Sequence, residues 1–206
     1  MIELLVATTN RGKLAEVMAI LKEIHVNPIS ISDFKDPPIV IEDGASFEEN
    51  ALKKARTFAE HSGFYTVADD SGLEVDALNG APGIYSARYS GEEGNDDKNN
   101  RKLLDILKHV PEEKRSARFV CALALCAPRS RGGKEWIVRG SCEGTIGFAA
   151  IGENGFGYDP LFFFPPFSKT FGEIDPQKKA LVSHRGKALK KLAEILPECL
   201  DPSEKP

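Results

Sequence analysis

The chain has 206 residues, 41% of them hydrophobic, enough for one globular core with room for two lobes. Its formal net charge of −4 argues against a nucleic-acid binder that works through bulk positive charge. A polyanionic ligand must therefore meet clustered Lys and Arg side chains or a metal.

Residues 2–7 read as a strand apolar on both faces, which places it centrally in a sheet. From 12 to 24 the apolar set Leu14, Val17, Met18, Leu21 and Ile24 marks one face of a helix. NPISISDF (27–34) and PPIVIED (37–43) read as short strands punctuated by Pro. SFEENALKKARTFAEHSG (46–63) is a helix with a Ser46/Glu49 capping box, a stripe of Phe47, Ala51, Ala55 and Phe58, and Gly63 as its stop. YTVADDSGLEVDAL (65–78) reads as two strands broken at DDSG, and NGAPG (79–83) as a turn. A helix is expected over 95–110, carrying Leu103, Leu104, Leu107 and Val110. ARFVCALALCAP (117–128) and KEWIVRGSCEGTI (134–146) pair as a hairpin around RSRGG. Residues 152–173 are irregular and rich in Gly and Pro. Asp175 and Pro176 open a short helix, and Ser183 or His184 caps a last one striped by Leu189, Leu192, Ala193 and Leu196. The tail DPSEKP (201–206) reads as disordered. Mixed βα units and hairpins predict an α/β domain with a mixed sheet, single and two-lobed over 1–206.

Cys121, Cys126, Cys142 and Cys199 show neither CxxC pairing nor His partners at zinc spacing, so they read as buried free thiols of a reducing cytosol. The N-terminal stretch lacks the apolar core of a secretory leader, and the longest apolar runs are too short to span a bilayer. A cytoplasmic protein that binds neither membrane nor nucleic acid is expected.

Five stretches carry chemistry. TTNRGK (8–13) joins a central strand to a helix N-terminus, where backbone N–H groups, Thr8, Thr9 and Asn10 side chains and the Lys13 ammonium can cradle phosphate. It is not a Walker A loop, and an ordinary capped turn is the other reading. ADDSG pairs Asp69 and Asp70 before Ser71, a set suited to a hard cation and an activated water, or to a simple turn. Glu42 can add a second carboxylate to the same cation, and Lys54 can reach a phosphate. GFGYDP sets aromatics and Asp159 on a glycine-flanked loop that can stack on a base or pack into the core. KALVSHRG places Lys179, His184 and Arg185 at a helix boundary, for ligand contact or for solvent.

Taken in order, TTNRGK, GASFEENALKKA, ADDSGLEVDALNGAPGIYSARYSG, FGYDPLF and SHRGKAL resemble the inosine triphosphate pyrophosphatase family over nearly the whole chain. The resemblance implies a two-lobed α/β fold with an elongated mixed sheet and a cleft between the lobes. It also implies a homodimer, Mg²⁺ as cofactor, and hydrolysis of the purine triphosphates ITP, dITP and XTP to the monophosphate and pyrophosphate. By motif, Thr8, Thr9, Asn10, Arg11, Gly12 and Lys13 hold the triphosphate. Glu42 and Asp70 hold Mg²⁺, with Asp70 also the proton acceptor for water, and Ser71 touches substrate. Phe156 stacks on the base, Gly157, Tyr158 and Asp159 complete that wall, and Lys179, His184 and Arg185 close the pocket, with His184 and Arg185 reading a base oxygen. Two departures from the family pattern are Gly172 in TFGE, where Ala is expected, and the PPF insertion at 165–167. The competing readings are a Maf-like pyrimidine nucleotide pyrophosphatase and a non-catalytic nucleotide sensor.

Overall fold

The computed structural model describes residues 2–21, 26–34 and 36–199. Seven strands form one mixed sheet in the order β2-β1-β3-β4-β5-β6-β7. β1 (Ile2–Val6) leads into α1 (Arg11–Leu21) and returns as β2 (Val26–Ser30), which lies parallel to β1. α2 (Phe47–Ser62) then precedes β3 (Tyr65–Val75), parallel to β1 on its other side. After α3 (Asp96–Ile106), β4 (Ser116–Cys126) and β5 (Glu135–Ile146) are neighbours, and the short link between them requires opposite directions. β6 (Phe162–Phe164) and β7 (Lys169–Thr170) extend the sheet antiparallel, and α4 (Pro176–Val182) and α5 (His184–Cys199) end the described chain. The expected tail and Ile24 lie outside the described residues.

The chain packs as two compact units. One comprises Met1–Asp70, Cys121–Gly140 and Arg185–Pro206, and the other Ser71–Val120 and Ser141–His184. The first unit's core joins Leu4 and Val6 of β1, Val17 and Leu21 of α1, Leu123 and Leu125 of β4, and Leu189, Leu192 and Leu196 of α5. The second unit's core is aromatic, built from Phe119, Tyr158, Phe162, Phe164 and Phe171 with Leu73, Leu103 and Leu107. All four cysteines are free and buried.

Local signals explain most of the element ends. Ser46 Oγ accepts the Glu49 N–H at the start of α2, and Gly63 ends it with φ 75°. The Glu49 carboxylate reaches back to the Ala45 N–H rather than to that of Ser46. Asn95 Oδ1 caps α3 through the Lys98 N–H, and Asp175 accepts the Gln177 and Lys178 N–H groups ahead of Pro176.

Further expectations change, and the strand expected at 27–34 ends at Ser30, where a 3-10 turn (Ile31–Asp33) begins. The strand expected at 37–43 forms no regular element; its two prolines remove two ladder donors, and Ile39 and Ile41 are exposed. α3 stops at Ile106, short of Val110. The break expected at DDSG is absent, because β3 runs through it without interruption. Asp-Ser-Gly favours a turn in water, but here Asp69 and Asp70 are buried and each has partners that hold it in the strand.

Candidate active site

In the first unit, the turn after β1 is built by its own polar side chains. Thr8 Oγ1 accepts the Asn10 N–H at 3.2 Å, and Asn10 Oδ1 accepts the Lys13 N–H at 3.0 Å, so Asn10 caps α1. Thr9, Asn10 and Arg11 are exposed, Gly12 is half-buried, and Thr8 is buried. The Lys13 ammonium lies 3.1 Å from Asp69 Oδ2.

Asp69 and Asp70 are adjacent on β3, and their side chains have different environments. Burial pushes the Asp69 carboxyl up, but Lys13, Arg185 and Lys54 outweigh it and hold Asp69 well below the usual carboxylate range. Arg185, 1% exposed, donates from Nε and Nη2 to Asp69 and from Nη1 to Glu16. Asp70 is raised from its ordinary value by burial and by Glu42, against the pull of Lys13, Lys54 and the Asn50 hydrogen bond. Asn50 is fully buried on α2 and donates from Nδ2 to Asp70 Oδ2 at 3.0 Å, while its Oδ1 accepts the Gly44 N–H at 2.8 Å. One amide thus ties Asp70 to the segment that carries Glu42. A side chain at Gly44 would meet Asn50 Oδ1 at 2.7 Å, so this approach requires glycine. Lys54 pairs with Glu42.

Lys13, Lys54 and Arg185 stand against Glu16, Glu42, Asp69 and Asp70, three formal positive charges to four negative ones. A triphosphate entering such a cluster needs a cation to accompany it. Among the described residues, no three His, Cys, Asp or Glu side chains form a ready metal cage. Glu42 and Asp70 are a hard, two-carboxylate donor set, which fits a cation that keeps several waters and takes its other ligands from substrate, as Mg²⁺ does.

In the second unit, the loop at 155–159 is closed on itself. Asp159 Oδ2 accepts the Phe156 N–H at 2.8 Å and the Lys179 ammonium at 2.6 Å. Gly155, at φ 79°, has no room for a side chain, which would stand 1.9 Å from Asp159 Oδ2. Phe156 is half-buried, with the Lys179 ammonium 4.9 Å from its ring centroid. His184 is buried and stacks on Phe119, centroids 4.8 Å apart at 14°. Ser71 is half-buried on β3. The Gly172 N–H donates to the Asp159 carbonyl at 3.0 Å, and a side chain there would stand 2.6 Å from the Ile151 carbonyl oxygen. That approach explains glycine at the position where Ala was expected. The PPF insertion forms a short 3-10 turn, Pro165–Phe167.

A family model described as the Ham1 family matches residues 4–195. The chain belongs to the Ham1 family. It is 50% identical over 194 residues to a dITP/XTP pyrophosphatase of Desulforamulus reducens, covering 94% of this chain and 95% of the relative. With a dITP/XTP pyrophosphatase of Geobacter sulfurreducens it shares 51% identity over 196 residues, 95% and 97% of the two chains. The solved HAM1 protein of Coxiella burnetii superposes with a TM-score of 0.86 at 40% identity, covering 96% of this chain and all of that one. A Mycobacterium abscessus structure described as a nucleoside-triphosphatase and dITP/XTP pyrophosphatase gives 0.75 at 47% identity, over 93% and 98% of the chains.

Against the sequence expectation for this Ham1 chain, two side chains are placed differently. Arg185 was expected to read a base oxygen, yet its guanidinium is buried against Glu16 and Asp69, because a cation without water needs carboxylates around it. Tyr158 was expected in the base wall; its ring lies in the core, where its hydroxyl donates to the Ser86 carbonyl at 2.9 Å. Asp159, expected to accept from base N–H groups, takes Phe156 and Lys179 on Oδ2. Sequence reading missed Asn50 and Glu16. Asn50 lies inside a helical stretch, and an amide beside that stretch's apolar stripe is its only signal in the sequence.

Proposed function

We propose that this Ham1 protein hydrolyses deaminated purine nucleoside triphosphates, dITP, ITP and XTP, to the monophosphate and pyrophosphate. Similarity over nearly the whole chain, at 50% and 51% identity, to proteins described as dITP/XTP pyrophosphatases supports the substrate class. The observation that carries the chemistry is the division of labour at Asp69 and Asp70. Lys13 and Arg185 hold one carboxylate well below the usual range, while its neighbour takes the Asn50 amide and is raised by burial.

Asp70 orients a water toward the α-phosphorus and accepts its proton. Asn50 fixes the direction of that carboxylate. Lys13, Lys54 and the N-terminal end of α1 bear on the phosphate oxygens and on the pyrophosphate as it leaves. Arg185 acts behind Asp69 as a positioning residue. Glu42 and Asp70 would hold Mg²⁺, which when bound neutralises phosphate charge and acidifies water. In the second unit, Phe156 offers its ring to the base, with the buried Lys179–Asp159 pair behind it. The resemblance also carries a homodimer in the cytoplasm. Sedimentation equilibrium tests the dimer, and among the described residues no helix is long and apolar enough to cross a membrane.

The test is a panel of dITP, ITP, XTP, dGTP and ATP with Mg²⁺ or with EDTA, products followed by phosphorus NMR. Fast pyrophosphate release from the first three with Mg²⁺ is expected. Equal rates on ATP, orthophosphate as product, or binding without turnover would each overturn the reading, the last in favour of a sensor.

A further inference from the structure

Gly157 lies in the loop assigned above to the base, and its backbone is held from outside that loop. Its N–H donates to Asp96 Oδ2 at 2.6 Å, and its carbonyl accepts from Asn100 Nδ2 at 3.0 Å. The two groups belong to successive peptide units, so these bonds restrain the two torsions of one residue from either side. Restraint matters at this position. Gly157 has φ 62°, nothing lies within 4 Å of where a side chain would start, and Gly155 two residues earlier is also left-handed. A loop with two such glycines has many backbone states of similar energy.

Asp96 and Asn100 are one turn apart on α3 and so share a face. The helix beneath them is itself fixed. Asn95 caps it, Leu103 is wholly buried, and Asn99 accepts the Ser90 N–H at 2.7 Å while donating to the Ala87 carbonyl at 3.2 Å. From Gly157 the restraint passes to the preceding residue, whose N–H is held by Asp159.

We propose that Asp96 and Asn100 are positioning residues that select the Gly157 backbone conformation in which Phe156 is presented to the base. This rests on Phe156 contacting the base, as proposed above. Both act through the Gly157 backbone, where their hydrogen bonds fall.

The test uses the full-length protein. In the unmodified chain the Gly157 amide should exchange slowly with solvent, and Asp96→Ala should accelerate it. Asp96→Ala and Asn100→Ala should each raise KM for ITP by ~10-fold, the size of one lost charge-assisted or amide hydrogen bond, with little change in kcat. The ITP over ATP preference should shrink. Asp96→Asn, which keeps an acceptor oxygen, should restore KM. Fast exchange of Gly157 in the unmodified protein, an unchanged KM in both Ala variants, or a joint fall of kcat and thermal midpoint without rescue by Asp96→Asn would overturn the proposal. Phe156→Ala separates the two layers. If it leaves base preference unchanged, the base contact itself is wrong and the proposal falls with it. If it abolishes the preference while both α3 variants retain it, only the role of Asp96 and Asn100 is lost.

Discussion

Lys179 Nζ lies 2.6 Å from Asp159 Oδ2, with side-chain exposures of 4% and 2%. A pair so shielded from water is costly to leave half-formed, since the remaining charge has no solvent to turn to. Lys179→Ala should therefore lower the unfolding free energy by ~3–5 kcal/mol, read from urea denaturation. A loss below ~1 kcal/mol, the range of exposed pairs, would mean that the pair is solvated in solution.

Asp70→Asn keeps the shape of the side chain and removes its charge and basicity. Turnover should fall by ~10²-fold or more, with the thermal midpoint little changed. A near-normal kcat would remove Asp70 as the proton acceptor.

Asn50→Ala frees Asp70 Oδ2 and the Gly44 N–H together. The folded protein should retain nucleotide binding while kcat drops by up to ~10²-fold, the cost of a misaimed catalytic group. If KM rises and kcat holds, Asn50 serves binding rather than the direction of the carboxylate.

Lys13→Ala should weaken ITP far more than inosine monophosphate, by roughly 1.5–3 kcal/mol, because the ammonium answers phosphate charge rather than the base. Isothermal titration of the two ligands checks this, and equal weakening would assign Lys13 to holding Asp69 alone.

Burial pushes the Cys121 thiol up from its ordinary value to about 12. A group whose folded value is raised contributes stability below its unfolded value and loses it as pH climbs toward the folded one. The urea midpoint should thus decline between about pH 9 and pH 12, and thiol reagents should label Cys121 only after unfolding. Prompt labelling of the native protein at pH 8 would show the thiol to be accessible.

Much of this was legible in the sequence because it rests on local chemistry. The Ser46 cap, the Gly63 stop, Asp175 before Pro176, and the β1-to-α1 turn each follow from residues within one turn of one another. What was not legible depends on partners far along the chain. DDSG has the composition of a turn, and it becomes strand because Lys13, Arg185 and Asn50 arrive from elsewhere to pair with its carboxylates. Arg185 looked free to meet a ligand because Glu16, 169 positions away, gives no sign in the sequence of meeting it. Tyr158 turned inward for a carbonyl 72 positions away.

Each cation of the first unit's cluster already faces a carboxylate: Lys13 faces Asp69, Lys54 faces Glu42, and Arg185 faces Asp69 and Glu16. Opposite charges so close together cancel beyond a few ångströms, and the chain as a whole carries −4. The cluster therefore projects little attraction into solution, and nucleotides are not drawn to it over distance. Capture depends on collision followed by exchange of ion-pair partners, so the encounter rate should not fall as ionic strength rises.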